Sequence, residues 1–369
     1  MIGMAKPLVG EEEIQAVIDV MRSGMLAAGP KVAEFENAFA DFIGMPHGVA
    51  SANGTTALHL ALLALGVGEN DKVLTTPFTF IASSNSILFN RAVPVFIDID
   101  PSTYLIDPEK LESYLATHYE PSMKAILVVH LFGLPCDMPR IMEVAKKYNL
   151  KVIEDCAQSH GAEIQGVKAG LFGDASSFSF YPTKNMTTSE GGMTLFKNEL
   201  DASVARKYAN HGRVDQYLHD VVGYNYRMTS IAAAIGLVQL KKLNEFNAKR
   251  RKNAEQLNRE LAGVTGLQLP VEPEGYSHVF HQYTVTLPAS VDRDALQENL
   301  KESGVGSAVV YPFSMNHQPC YHDACEFDNL EVAEQAASKV LSLPVHPSLS
   351  EAELQKVALT LKTYIEGNR

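Results

Sequence analysis

Three short segments bring together residue types that could do chemistry. In residues 173–192, the strand-like run Ser176-Ser177-Phe178-Ser179-Phe180-Tyr181 stops at Pro182, and Lys184 follows in a loop of small polar residues. A lysine desolvated there gives up its proton more readily and can attack a carbonyl as a free amine. The plain expectation for a loop lysine is a solvated one. In the second segment, Asp155 ends the apolar run Val152-Ile153-Glu154. A buried carboxylate demands a cationic partner, although Asp155 could simply cap a following helix. The third segment, Ser51-Ala52-Asn53-Gly54-Thr55-Thr56, runs straight into the apolar helical pattern of residues 57–65. Free N–H groups and the helix dipole make such a start an anion site, with Gly54 permitting close approach and Thr55 adding a hydroxyl. Capping by Asn53 or Thr55 is the alternative. Ser179, five positions before Lys184, could serve the same anion.

Each segment has an ordinary explanation alone; their order is harder to dismiss. An anion loop is followed by an acid and then, 29 residues on (184 − 155), by an amine, each at a strand–loop junction. Pyridoxal 5'-phosphate (PLP) requires these three services: a phosphate anchor, a carboxylate for the pyridine nitrogen, and a lysine for the aldehyde.

Such groups need a scaffold that gathers strand ends. Between about residues 50 and 200, short apolar runs (72–76, 93–98, 125–130, 151–155, 176–181 and 192–196) alternate with helical patterns such as Pro139 to Tyr148. That alternation predicts an α/β domain with a mostly parallel sheet, whose working residues gather beyond the carboxyl ends of its strands. A long helix is predicted from about Thr229 through Leu261, then a strand at 283–287, a helix from Arg293 to Ser303 and a last helix from Ser350 to Ile365. The expected division is a large domain over 1–244 and a smaller α+β domain over 245–369. The basic run Lys249-Arg250-Arg251-Lys252 reads as a solvated helix face.

The bulk numbers narrow the function classes. Hydrophobic residues form 46% and charged residues 20% of the 369, the balance of an ordinary globular protein. No apolar run approaches bilayer-spanning length, and residues 1–6 lack the features of a secretory signal, so the expectation is cytoplasmic with no membrane partner. The net charge of −12 disfavours nucleic acid, and an anionic substrate would need a local cationic pocket. Cys136, Cys156, Cys320 and Cys325 contain no CxxC pair, so no metal site is expected.

Taken over nearly its whole length, the chain resembles the DegT/DnrJ/EryC1/StrS group of PLP-dependent sugar aminotransferases, a branch of fold type I. The resemblance is carried by Ala28-Gly29-Pro30-Lys31, Asn53-Gly54-Thr55-Thr56, Pro77-Phe78-Thr79-Phe80, the Asp155 and Lys184 segments, Gly223-Tyr224-Asn225-Tyr226-Arg227-Met228 and Leu343-Pro344-Val345-His346-Pro347. It implies that Lys184 forms the Schiff base, that Asp155 meets the pyridine nitrogen and that Gln158 contacts the ring hydroxyl side. It further implies that Phe80 stacks on the ring and that Gly54, Thr55 and Ser179 hold the phosphate. Without it, Phe80 would read as core and Asn225 as a turn residue. Asn225, with Arg227, is implied to reach a neighbouring subunit's site, which makes a homodimer necessary. The implied reaction carries an amino group from glutamate, by way of pyridoxamine phosphate, to a nucleotide-linked keto sugar. Lys31 and Arg213 are candidates for the diphosphate. A keto-inositol substrate, sugar dehydration (where histidine replaces the lysine) and a non-catalytic regulator are the alternatives. Asn53 before Gly54, the run Asn185-Met186-Thr187-Thr188 and Asn316 depart from the common family pattern, and Asn316 bears on substrate identity.

Overall fold

The computed structural model describes residues 1–367. Its central sheet has eight strands. In chain order they begin with β1 (His47–Ser51), β2 (Lys72–Thr75), β3 (Val93–Phe96), β4 (Met123–Val129) and β5 (Lys151–Asp155). A small antiparallel pair, β6 (Glu163–Ile164) and β7 (Val167–Lys168), precedes β8 (Ala175–Ser179) and β9 (Gly192–Phe196). The later strands are β10 (Tyr276–Ser277), β11 (Tyr283–Thr286), β12 (Glu326–Phe327) and β13 (Val340–Leu343). The sheet order is β1-β9-β8-β5-β4-β2-β3-β12, parallel from β8 to β12 and antiparallel where β9 meets β8 and β1. Parallel neighbours bring the carboxyl ends of β2, β4, β5 and β8 to one edge, where the expected functional residues lie.

Helices cover both faces because the strands carry apolar side chains on both sides. The first helices are α1 (Glu11–Ser23), α2 (Pro30–Ile43), α3 (Gly54–Ala64), α4 (Ile81–Phe89), α5 (Pro108–His118), α6 (Met138–Lys147) and α7 (Glu199–Ala209). One core combines Leu58, Leu60 and Leu62 of α3 with Ile126, Val128 and Ile153 of the sheet. On the other face, Phe35 and Phe39 of α2 meet Phe178 and Phe180, with ring centroids 4.8–5.2 Å apart for three of those pairs. Phe178 and Phe180 thus anchor the strand end that presents Ser179 on its opposite side.

The 32-residue α8 (Ser230–Leu261) begins where Thr229 accepts from the Ala232 N–H, and it serves two cores. Ala233 and Leu243 join the α2 face, while Ala254, Leu257 and Leu261 join a separate core with α9 (Arg293–Glu302), β11, β13 and α11 (Glu351–Gly367). We propose the domain division near residue 245, inside this helix. Segments cross it: Ile2 packs in the second core, β12 extends the main sheet, and α10 (Glu331–Lys339) packs Ala333 and Ala336 on the main core. Asp98 holds that returning segment by accepting from the Val332 and Ala333 N–H groups.

The strand ends differ slightly from the sequence expectation. β8 stops at Ser179 rather than Tyr181, so Ser179 is the last paired residue. Arg250 is a larger departure. Its neighbours Lys249, Arg251 and Lys252 pair with Glu245, Glu272 and Glu351, but Arg250 itself is buried. It lies on the stripe Phe246, Asn247, Arg250, Ala254 and Leu257, whose helical spacing turns all five inward.

Glu154 fixes the relation between β5 and β8. Wholly buried, its carboxylate accepts from the N–H groups of Gly170, Phe172 and Gly173 at 2.7–2.8 Å and from His130 Nε2 at 3.0 Å. His130 Nδ1 accepts the Cys136 N–H, so Nε2 carries the proton. Cys156 lies close enough to complete a metal-like triad with these two, but both His130 nitrogens and both Glu154 oxygens are already engaged. Replacing Glu154 by Gln turns an acceptor into a donor facing N–H groups, and should destabilise the fold by about 3 kcal/mol. Denaturant unfolding of Glu154→Gln checks this.

Candidate active site

Adjacent residues of β5 point to opposite sides of the sheet. Glu154 is turned to the loop before β8, and Asp155 therefore faces the other way, toward α4. Asp155 is buried; Ser83 Oγ donates to its Oδ2 at 2.8 Å and the Ala157 N–H to its Oδ1 at 3.0 Å. Ser83 has a single proton, so the Thr79 hydroxyl, 2.9 Å away, is the donor in the contact between them. Burial pushes the Asp155 pKa up, while the two hydrogen bonds and then the nearby Lys184 pull it down. A carboxylate in this position gains most from a hydrogen-bonding cation.

Lys184 is partly buried and makes no side-chain hydrogen bond among the described residues; its backbone N–H donates to the Tyr181 carbonyl at 2.9 Å. Burial lowers its pKa from 10.5 to about 8, against the upward pull of Asp155. The expected solvated lysine is therefore absent. Near neutral pH an appreciable share of this amine is uncharged and available to a carbonyl.

The anion loop is a capping site as well. Asn53 Oδ1 accepts from Thr56 N, and Thr56 Oγ1 accepts from Asn53 N, a reciprocal box that uses Thr56 rather than Thr55. Within the described residues the N–H groups of Gly54 and Thr55 have no acceptor. Gly54 sits against the end of β8: a Cβ added there would stand 2.6 Å from Ser179 Cβ. Two free N–H groups and the hydroxyls of Thr55 and Ser179 thus converge on one helix start, which suits a phosphate.

A third wall stands between these groups and the C-terminal part of the chain. Phe80 precedes α4 and is 57% exposed, so it is not core. Its ring centroid lies 6.2 Å from that of Tyr311. Gln158 Nε2 donates to the Tyr311 hydroxyl at 3.2 Å, while Gln158 Oε1 accepts the Phe132 N–H at 2.7 Å. Burial and the Asp155 charge raise the Tyr311 pKa, so its hydroxyl stays protonated. Thr79, Ser83 and Tyr311 were not singled out from the sequence. The i,i+4 spacing of Thr79 and Ser83 at a helix start was the only local signal for the first two.

The same chain of contacts does not include every candidate. Asn225 is exposed, with only a bridge to Asn210. Arg227 Nη1 donates to Asn210 at 2.6 Å. The strip around them is nevertheless tied to the anion loop, since Ala52 N donates to the Tyr226 carbonyl and the Tyr226 hydroxyl contacts buried His59. Lys31 pairs with Glu34, and Arg213 Nε donates to the Asp215 carbonyl, so neither is bonded into the cluster. Asn316 bonds to Glu334 and Ser314.

A lysine without a hydrogen-bonded side-chain partner among the described residues, a buried acid and a helix start with free N–H groups share one sheet edge. Residues 7–362 match the model of the DegT/DnrJ/EryC1/StrS aminotransferase family. The chain belongs to that family. A relative from Acidithiobacillus ferrooxidans, named UDP-N-acetyl-3-dehydro-alpha-D-glucosamine 3-aminotransferase, is 39% identical over 97% of this chain and 95% of its own. A Geobacillus stearothermophilus relative named pleiotropic regulatory protein is 41% identical over 94% of this chain and 92% of its own. The structure of Spr1654 from Streptococcus pneumoniae in its PLP form superposes with a TM-score of 0.92, at 28% identity, over 100% of this chain and 99% of that one. This aminotransferase therefore has the fold type I architecture. No helix among its described residues is long and apolar enough to cross a membrane.

The electrostatics of the Lys184–Asp155 pair give a sign that can be measured. In cofactor-free protein, modification of Lys184 by an amine reagent should rise with pH around a midpoint near 8. Asp155→Asn removes the charge that holds the ammonium form, so the midpoint should fall. A midpoint near the ordinary lysine value, or one raised by the substitution, contradicts the account. Peptide mapping of the modified protein reads it directly.

Proposed function

We propose that this aminotransferase uses PLP to move an amino group from glutamate to a keto sugar carried on a nucleotide. The observation that carries the reading is the unpartnered Lys184 amine, its pKa lowered to about 8, facing the buried Asp155 carboxylate. When bound, PLP supplies an aldehyde that accepts the amino group and a ring that withdraws electrons from the reacting carbon. Asp155 would keep the pyridine nitrogen protonated, and Ser83 and Ala157 hold the carboxylate in place for that task. The Gly54 and Thr55 N–H groups with the Thr55 and Ser179 hydroxyls would hold the phosphate. Phe80 would cover one ring face, and Gln158, fixed by Phe132 and Tyr311, would border the ring hydroxyl.

Lys184 has two duties in this scheme. Its amine would hold the cofactor's aldehyde carbon and, when free, would carry a proton to and from the substrate carbon. An amine with a pKa near 8 suits both directions of transfer at physiological pH. Asn225, exposed in the single chain, would complete the phosphate pocket of a second copy, with the homodimer as the working unit. The relative named for a UDP-linked dehydroglucosamine supports the substrate class, and a cytoplasmic setting is part of the same proposal.

The relative named as a pleiotropic regulatory protein favours a second reading, in which the site binds cofactor without turnover. Glutamate separates the two: an enzyme should lose its visible lysine–cofactor absorbance as the amino group is taken up, and a non-catalytic binder should not. Lys184→Ala should keep its fold but yield no cofactor trapped by borohydride, as read by mass spectrometry of the intact protein. Covalent cofactor in that variant refutes the assignment of Lys184. Gly54→Ala forces Cβ against Ser179 and should weaken PLP retention at least about tenfold, measured by equilibrium dialysis.

A further inference from the structure

Beside Lys184 lies a cavity of about 20 Å³, room for one water or one oxygen of a larger group, and Asp155 is not among the residues that line it. Lys6, Lys184, Asn185, Thr187, Gln239 and Arg250 line it, and no acidic residue does. Arg250 is buried (5% exposed) yet has no carboxylate partner; Nη1 donates to the Phe280 and His281 carbonyls at 3.1 Å. Its Nε is buried without any hydrogen bond. The other titratable groups packed here do not neutralise it. His281 is held neutral by burial and by Lys184 and Arg250, and burial together with Lys184 lowers the His160 pKa to about 3. Glu13 is the nearest acid in the hydrogen-bond network, and it is occupied by Lys242, Gln239 and the Gly10 N–H. Gln239 is used up as well, accepting from the Thr187 N–H and donating to Glu13 and the Leu8 carbonyl. Lys6 is exposed and forms no direct ion pair among the described residues; the Glu353 carboxylate acts on it only through space, and His346 lies near both. Arg250 thus brings to the cavity a buried charge with no carboxylate bonded to it among the described residues, an unfinished interaction.

An amino-acid donor fits this arrangement by geometry. Its amine must arrive where the Lys184 amine stands, and its carboxylate hangs from the same carbon. The phosphate cradle at Gly54 and Ser179 is a separate place, so this carboxylate needs its own cation next to the lysine. We propose that Arg250 and Lys6 form the pocket that takes the carboxylate of the amino donor. A keto sugar carries no carboxylate on its reacting carbon, so the pocket distinguishes the two substrates of one active site: it takes the group beside the amine in the first half-reaction and has no counterpart there in the second. This inference rests on the donor being an amino acid, as proposed above.

Two arms test it. With holoenzyme, Lys6→Gln should raise the glutamate concentration for half-maximal loss of cofactor absorbance about tenfold, and Arg250→Lys should do so at least as strongly, since a charge-assisted hydrogen bond is lost in each. Hydroxylamine, an amine without a carboxylate, should strip the cofactor from both variants at the wild-type rate. With cofactor-free protein, formate should raise the pH midpoint of Lys184 modification in the wild type, because a bound anion favours the ammonium form. The rise should be lost in Lys6→Gln, whose exposed side chain leaves the fold intact. Unchanged glutamate dependence in Lys6→Gln, or a formate shift equal in variant and wild type, overturns the pocket. A formate shift lost in the variant, with no response of wild-type holoenzyme to glutamate, supports the pocket and removes glutamate as the donor.

Discussion

Placing a carboxylate and an amine near one another inside a low-dielectric edge is the constraint around which this protein is arranged. Neither group is comfortable there. Burial drives Asp155 toward its neutral form and Lys184 toward its neutral form, and each partly restores the other's charge. A pair balanced in this way is responsive: a bound cation at Asp155 or a carbonyl at Lys184 changes the balance by a large amount. The same two residues on a solvated surface would be screened and inert.

The rest of the fold keeps that pair from relaxing. Glu154 engages four N–H donors on the far side of β5, so the strand cannot rotate to release Asp155. The phenylalanine cluster under Ser179 fixes the end of β8, from which the chain climbs to Lys184. Ser83 and Thr79, offered by the start of α4, restrict the carboxylate to one orientation. These positioning groups fix the geometry of the groups that would touch a ligand, as a preorganised site requires.

Two cores joined by one continuous helix give the site a further property. α8 packs its first half under the main sheet and its second half in the core built from the C-terminal elements, and Arg250 sits on its inward stripe between them. The N-terminal segment, with Ile2 in the second core and Lys6 at the cavity rim, crosses the same region. Arg250 is therefore fixed by the packing of both cores.

Periodicity was enough to read the α/β alternation and the long helix, and local chemistry was enough to nominate the lysine, the acid and the helix-start loop as candidates, because each leaves a mark within a few residues. Asp155 follows its strand directly, and Gly54 starts its helix; such junction signals are local. What they could not contain was partnership across long separations. Ser83 reaches Asp155 from 72 positions away and Tyr311 reaches Gln158 from 153, and no spacing rule encodes either. Edge strand β12 is two residues long, too short for any alternation to appear. Arg250 shows the limit most clearly. In the sequence it is one of four consecutive cations, and hydration would be expected to claim them all. Only the packing of α8 decided that one of the four faces the core while its neighbours pair with acids nearer the surface, since the direction of a helical side chain is set by what the helix lies against.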